Sequence, residues 1–489
     1  MSFNLSSTKG APAEDGEAKL KLHSFLSLFE KIGTTKIDEK YVFTENPSVG
    51  AWKLLFETAR MVRDLDVEKE AAREMARVCP SVFVRLAQHL KGEFLFPNLR
   101  DISIVGLNSS THYLSLITSP VLENVLLEVD PGPGSAGGAT HLAIHAFLGD
   151  LITFTPNLRS LVIKCIAEIS PLWLDMITRF HHLKTLMLSS LDMTGLENLR
   201  PLGSLTHLQN LSLDFQHQEY EKSVPLNIPL PHLKYLHIAG PYEVTMELVR
   251  AIGTNDLEIF SFERAYKTPL KMPLKEKKKS AVTLSKREEL LPMLSSLWGR
   301  SLKEISIIST VSLTWDLTSL ASLRVLEKLH IEGSLGPCAE RAIHSPSTLW
   351  CCLRLLHIPA NFSVTFPTIQ HIAESAPFLS DVSLFMDITK DPGIDCLQAL
   401  FHPLESLTIL RDGIETNSGW GNHEAYDDVG WLRLMKVARY LNALFPNLGK
   451  LDGMVRKKEW DRVWELVKLC QGSSVDEKGR KHVRVQAAS

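Results

Sequence analysis

Between residues 158 and 238 the chain reads L-R-S-L-V-I at 158–163, L-K-T-L-M-L at 183–188, L-Q-N-L-S-L at 208–213 and L-K-Y-L-H-I at 233–238. Each is a copy of L-x-x-L-x-L, and the first leucines, Leu158, Leu183, Leu208 and Leu233, are spaced 25 residues apart. A short strand presents alternate residues to opposite faces. Leucines at the first, fourth and sixth positions therefore point into the interior of a coil, and the positions between them point outward. One such coil cannot bury its own apolar face, so successive coils must stack.

A fixed step in the mid-twenties carrying this hexamer is the leucine-rich-repeat signature. It predicts an α/β solenoid, a curved horseshoe with parallel strands on the concave side, helices on the convex side, a short helical N-terminal segment and a helical C-terminal cap. The ladder extends outward from its centre through hexamers that begin at Val62, Leu99, Leu122, Leu257, Leu302, Leu326, Leu353, Leu379 and Leu404, with a weaker Leu448-x-x-Leu451 at the end. Helical returns are predicted between strands, for example at 171–180 and 245–253. Before the ladder, residues 20–31 read as one amphipathic helix, 36–43 as a short strand and 50–59 as a helix. The expected organisation is a disordered start over 1–19, a helical segment over 20–60, the solenoid over 61–452, a capping helix over 453–471 and a flexible tail over 472–489. Each inward Leu or Ile contributes roughly 1.5–3 kcal/mol on burial.

The composition supports one large body. A compact-domain prior would divide 489 residues into about three domains, but a repeat array is continuous. The balance of 53 Lys+Arg against 56 Asp+Glu leaves a formal charge of −3, which argues against a nucleic-acid partner held by whole-protein charge. No leader-like n-region and h-region opens the chain, and no run of about 18 apolar residues occurs. Seven cysteines without a CxxC pair fit reduced thiols, so a cytoplasmic or nuclear setting without membrane contact is expected.

Several motifs invite chemistry. The loop from Gly132 to Gly138 contains G-P-G-S-A-G between a strand and a helix, as a dinucleotide fingerprint would. The next strand ends Ile163-Lys164-Cys165, without the acid that holds the ribose, so a plain loop is the better reading. His141 and His145 share a helix face, but no H-E-x-x-H pattern or third ligand accompanies them. The adjacent Cys351 and Cys352 read as packed thiols. The run from Lys275 to Lys279 reads as a solvated loop before it reads as a nuclear-import patch. His423, Glu424, Asp427 and Asp428 lack a nucleophile. No catalytic residue, cofactor or metal site is expected from these.

The outward strand positions remain. Arg159, Lys184, Lys234, Tyr235 and His237 lie near the middle of the array, followed by Glu258, Glu263, Glu327, Glu332 and Arg354. His330 and His357 hold the same middle position in successive repeats, which makes them neighbours that could bind a metal or sense pH, although contact residues are the simpler reading. Mixed charge with a few aromatics suits a protein target on the concave face better than nucleic acid.

The N-terminal stretch adds a resemblance. F-L-S-L-F-E-K-I from Phe25, I-D-E-K-Y-V-F from Ile37 and S-V-G-A-W-K-L-L-F-E-T-A-R-M-V-R-D-L from Ser48 resemble the segment that follows the F-box in fungal F-box-like leucine-rich-repeat proteins. Trp52, Arg60, Val62, Arg63 and Leu65 match that pattern, and P-N-L-R-D-I-S-I from Pro97 and P-N-L-R-S-L-V-I from Pro156 are similar to the group's repeats. The F-box itself, with its L-P-x-E-I/L-L start, is not visible before Leu20. The resemblance implies a non-enzymatic recognition subunit that joins a target on the repeats to an SCF-type adaptor and cullin. The alternatives are a repeat scaffold without a ubiquitin-ligase role, or a nucleotide-binding enzyme using the Gly132–Gly138 loop.

Overall fold

The computed structural model describes residues 20–22, 26–75, 77–107, 113–130, 138–165, 171–191, 196–215, 226–264, 289–309, 314–315, 317–332, 334–335, 350–358, 363–386, 400, 402–412, 428–453 and 457–473. The expected disordered start, residues 132–137 of the glycine loop, Lys275 to Lys279, the cluster at 423–427 and residues 474–489 lie outside that set. By their contacts the residues fall into two compact units, Met1–Gln216 and His217–Ser489.

In the first unit the strands Leu20–Leu22, Val62–Val67, Asp101–Leu107, Asn124–Val129, Ser160–Cys165, Thr185–Leu191 and Asn210–Phe215 pair in parallel, each with the next. In the second unit the parallel series is Tyr235–Ala239, Ile259–Arg264, Glu304–Ser309, Lys328–Ile331, Leu355–His357, Asp381–Met386, Ser406–Asp412 and Lys450–Gly453. Every hexamer read from the sequence forms one of these strands. The fold is therefore a leucine-rich-repeat solenoid of the α/β class.

Backbone bonding explains why the coils stack in register. The first leucine of most hexamers donates its N–H to the carbonyl three residues back, as in Leu183 to Phe180, Leu208 to Leu205 and Leu353 to Trp350. That turn delivers the chain into the strand. The carbonyl of the next residue then accepts two N–H bonds from the following coil. Arg159 accepts from Lys184 and Thr185, Lys184 from Gln209 and Asn210, and Glu258 from Lys303 and Glu304. The pattern recurs at Glu327, Arg354, Ser380 and Glu405. Buried backbone groups must find partners, and here each coil supplies them to its neighbour.

The inward leucines fill the coil interior. Leu158, Leu161, Ile163, Leu183, Leu186, Leu188, Leu233, Leu236 and Ile238 are fully buried. The returns that cover them are of two kinds. Helices Gly138–Phe154, Pro171–Ile177, Tyr242–Ala251, Leu290–Trp298 and Phe366–Ser375 serve some coils. Others use 3₁₀ turns, Leu196–Ser204 and Leu317–Ser322. Their buried residues Leu196, Leu199, Leu202 and Leu205, and Leu317, Leu320 and Leu323, recur every three residues, the period at which 3₁₀ side chains eclipse.

The N-terminal segment departs from the sequence expectation twice. Residues 20–31 are not one helix. Leu20–Leu22 is a strand added to Val62–Val67, with Leu20 beside Val62 and Leu22 beside Leu65, and among the described residues of this stretch only Leu26–Lys31 is helical. The alternation L-K-L suits an edge strand better than a helix turn. Residues 36–43 are not one strand either. Thr34–Ile37 and Lys40–Phe43 form an antiparallel hairpin around Asp38 and Glu39, which both take positive φ, 49° and 67°. Two left-handed residues make the tight turn that matches strand twist, but Asp-Glu lacks the glycine that usually announces it. Arg77 holds Glu39 at 2.9 Å and Tyr41 donates its hydroxyl to Glu74 at 3.2 Å, which fastens the hairpin to the helix Lys69–Met75.

At the other end, helices Asp428–Leu444 and Lys457–Ser473 follow. Tyr440 donates its hydroxyl to the Phe366 carbonyl at 2.6 Å, and Trp460 is buried against Gly453 of the last strand, where any Cβ would run into the indole. His402 is buried too. Its Nε2 bonds the Ala376 carbonyl at 2.8 Å while its Nδ1 accepts the Leu404 N–H at 3.2 Å, so the ring is neutral with the proton on Nε2.

Two stability predictions follow from this packing. Leu236→Ala should cost about 2–5 kcal/mol in denaturant unfolding, whereas Lys184→Ala on the outer face should change stability by no more than about 0.5 kcal/mol. Gly453→Ala should destabilise by about 1–3 kcal/mol through overpacking, seen as a lowered Tm. An unchanged Tm would show that Trp460 does not seal the end of the array.

Candidate functional site: the open face of the sheet

The outward positions form straight rows because the strands pair without slippage over most of the sheet. In the second unit one row runs Tyr235, Ile259, Glu304, Lys328, Leu355, Asp381, Ser406 and Lys450. The next runs His237, Ser261, Ser306, His330, His357, Ser383, Thr408 and Asp452. Glu263 on its strand, and Glu332 directly after the strand Lys328–Ile331, stand two residues beyond positions of this row. In the first unit the corresponding middle row is Asp66, Ser103, Leu126, Val162, Met187 and Ser212. Its central three positions, Leu126, Val162 and Met187, are apolar, where the second unit's row carries imidazoles and hydroxyls.

A third row lies at the strand entry, at the residues whose carbonyls link the coils. Its side chains alternate in sign: Lys234, Glu258, Lys303, Glu327 and Arg354 in the second unit. Lys234 and Lys303 both reach Glu258, at 3.2 Å and 2.8 Å, and these hydrogen bonds hold its carboxyl below the usual range. Lys328 pairs with Glu304 at 3.0 Å. In the first unit Arg159 pairs with Glu123 at 3.4 Å. These pairs are exposed, so solvent screening leaves each a small contribution to stability. Their consequence is orientation: strand spacing sets neighbouring charges close enough to neutralise one another, so a partner meets fixed, paired charges.

The sequence-selected residues therefore separate into groups. Arg159 and Lys234 are engaged in the entry row. Lys184 and Arg354 are exposed in the same row, with no ion pair among the described residues. Tyr235 and His237 sit side by side on one strand. His237 Nδ1 shares a hydrogen bond of 3.0 Å with Ser261 Oγ. Burial, with Glu304 adding to it, pushes the Tyr235 phenol up to about 12, so it remains a neutral hydrogen-bonding group. Glu263 lies half-buried on the next strand. Lys303, Glu304, Lys328 and Ser261 complete this surface and escaped selection from the sequence. Counting one and two residues beyond each first leucine would have found the first three.

His330, Glu332 and His357 are brought closest together. The two rings are neighbours in register, with centroids 4.2 Å apart and planes inclined at 50°. His330 Nε2 lies 3.1 Å from Glu332 Oε1. Burial is the main cause that holds His357 down to about 4, and the adjacent His330 adds to it against the opposing pull of Glu332.

Among the described residues the other motifs form no such group. His141 packs on the Trp173 ring at 4.9 Å. The Cys351 and Cys352 sulfurs lie 3.9 Å apart, and burial, then the hydrogen bond with Cys351, raises the Cys352 thiol, which keeps it protonated. Asp428 begins a helix. No helix among the described residues is long and apolar enough to cross a membrane.

A pH prediction arises from His357 and His402. The folded protein binds their protons less readily than the unfolded chain, where histidine titrates near about 6.5. As pH falls below that value the unfolded state takes up protons first, so stability is lost between about pH 6.5 and the folded value of about 4 for His357. His357→Asn should flatten part of this loss in urea melts across that range. A loss of equal slope in the variant would show that His357 does not contribute.

No protein-family model matches the chain, and no curated protein matches it. Among solved structures it is similar to an internalin from Listeria monocytogenes, with 13% identity over 73% of this chain and 81% of that one and a TM-score of 0.35. It is also similar to a leucine-rich-repeat protein from Leptospira interrogans, with 13% identity over 92% of each chain and a TM-score of 0.36. A TLR13 in complex with ssRNA13 is similar at 12% identity over 81% of this chain and 46% of that one, with a TM-score of 0.35. The repeat fold itself rests on the spacing and register of this chain's own strands.

Proposed function

We propose that this chain is a protein-recognition scaffold whose open sheet face holds a target protein, and that it serves as the substrate-recognition part of an F-box-like, SCF-type ubiquitin ligase. The observation that carries the recognition reading is the ordered face itself. Tyr235, His237, His330 and His357 are half-buried groups on a backbone braced from both sides, so little side-chain freedom is lost when a partner covers them. Paired charges at the strand entry border them on one side as a polar edge. Interfaces favour such an arrangement of central aromatic anchors and peripheral charge. Nucleic acid would demand a continuous basic stripe, whereas the entry row of the second unit, Lys234, Glu258, Lys303, Glu327 and Arg354, alternates in sign.

The ligase part rests on the N-terminal resemblance. The matched residues hold the segment against the first coil. Trp52 is buried between Phe56, at 5.9 Å, and His89, at 4.0 Å. Val62 and Leu65 are inward residues of the first hexamer, and the Arg63 carbonyl accepts the Arg100 N–H at 2.8 Å, the same link that joins later coils. A docking module attached there would be fixed relative to the neighbouring repeats, as a ligase needs in order to position its target.

The test is affinity capture of the C-terminally tagged chain from its own cells, followed by mass spectrometry. Recovery of the ligase adaptor and cullin with a further protein is the expected outcome. Recovery of other proteins without adaptor or cullin would remove the ligase role and leave a scaffold with different partners.

A further inference from the structure

The cluster at His330, Glu332 and His357 has a property beyond surface recognition. One ligand atom from each of the three residues can be chosen so that all lie within 4.8 Å of one another, and no other such group of three occurs among the described residues. The strands dictate this convergence. Glu332 directly follows the strand Lys328–Ile331, two residues beyond His330, where its N–H bonds the Ile307 carbonyl at 2.7 Å and its carboxylate reaches His330, while His357 is the registered neighbour of His330 on the next strand. Three donors are thereby fixed on a backbone that adjacent coils hold in place.

We propose that His330, Glu332 and His357 bind one divalent transition-metal ion of the zinc class, through two imidazole nitrogens and one carboxylate oxygen, with an outward position left open. Tetrahedral coordination at about 2.1 Å places ligand atoms about 3.4 Å apart. The widest gap must close by little more than an ångström, within reach of imidazole rotation and the flexible Glu332 chain. Nitrogen and oxygen donors in this number suit zinc, cobalt, nickel or copper, and do not suit calcium or magnesium, which call for six or more oxygens or a largely hydrated octahedron. Metal binding requires neutral imidazole, the form that the surroundings of His357 favour. The His330 and Glu332 side chains are 13% and 47% exposed, which gives the ion a route in and the open position a view of the partner. Three protein ligands with a free fourth position allow water, or a side chain of the bound protein, to complete the shell. This inference concerns the chemistry of the face and stands whether or not the chain serves a ubiquitin ligase.

Isothermal titration of the full metal-free chain with Zn²⁺ tests it, with Co²⁺ absorption as an independent readout of tetrahedral coordination. Wild type is expected to take up one ion at this site beyond any background on the thiols. His330→Gln/His357→Gln should weaken that uptake by about 100-fold or more and abolish the Co²⁺ band, and Glu332→Gln should weaken it by about tenfold or more. His207→Gln, on a different coil, should leave both unchanged. Circular dichroism confirms the fold of each variant, and the single His330→Gln variant replaces the double one if the latter unfolds. No uptake by wild type, or the same uptake and band in the histidine variants, would overturn the proposal.

Discussion

No coil of this protein owns a complete core or a complete set of hydrogen bonds. The inward residues of one strand are covered by the strands on either side and by the return below, and the carbonyl at most strand entries is satisfied by two N–H groups of the next coil. Stability in such an array is a sum of neighbour terms. A lost leucine is felt mainly in its own coil and the adjoining ones. At the far end the helix bearing Trp460 packs on the last strand, Lys450–Gly453, while at the near end Leu20–Leu22 extends the sheet by one strand.

The same constraint creates the surface. Coils that stack through a repeated bond pattern place each outward position beside its counterpart, so a residue choice in one repeat becomes a neighbour relation in space. The alternation of Lys234, Glu258 and Lys303 becomes a chain of ion pairs, and the shared offset of His330 and His357 becomes a pair of touching rings. A loop-borne site would need each of these contacts to be built separately.

Much of this was legible in the sequence. The leucine spacing located every ladder strand, because burial of positions one, four and six leaves a regular trace. The shared offset of His330 and His357 also forecast their contact. The N-terminal strand and hairpin were not legible. Leu20–Leu22 is too short to show a period and is ordered by pairing with Val62–Val67, and the Asp38-Glu39 turn lacks glycine. Glu332 was selected from the sequence as an outward contact residue, but its contact with His330, two residues back, depends on the side-chain rotamer, which spacing alone does not single out. The Lys303, Glu304 and Lys328 pairings depend on rotamers, which the pattern of leucines leaves free.

The central claim is that recognition occurs on the open sheet face and not on the returns. Site-specific photocrosslinking tests this most directly. A photoreactive residue would replace Tyr235 or Lys328 on the sheet in one pair of proteins. In a second pair it would replace Leu142 or Phe378, which are 73% and 64% exposed outside the strands. The account predicts a crosslink to the same protein of discrete mass from both sheet positions, and none to it from the other two. Crosslinks to that protein only from positions 142 and 378 would place recognition outside the sheet face and contradict this reading.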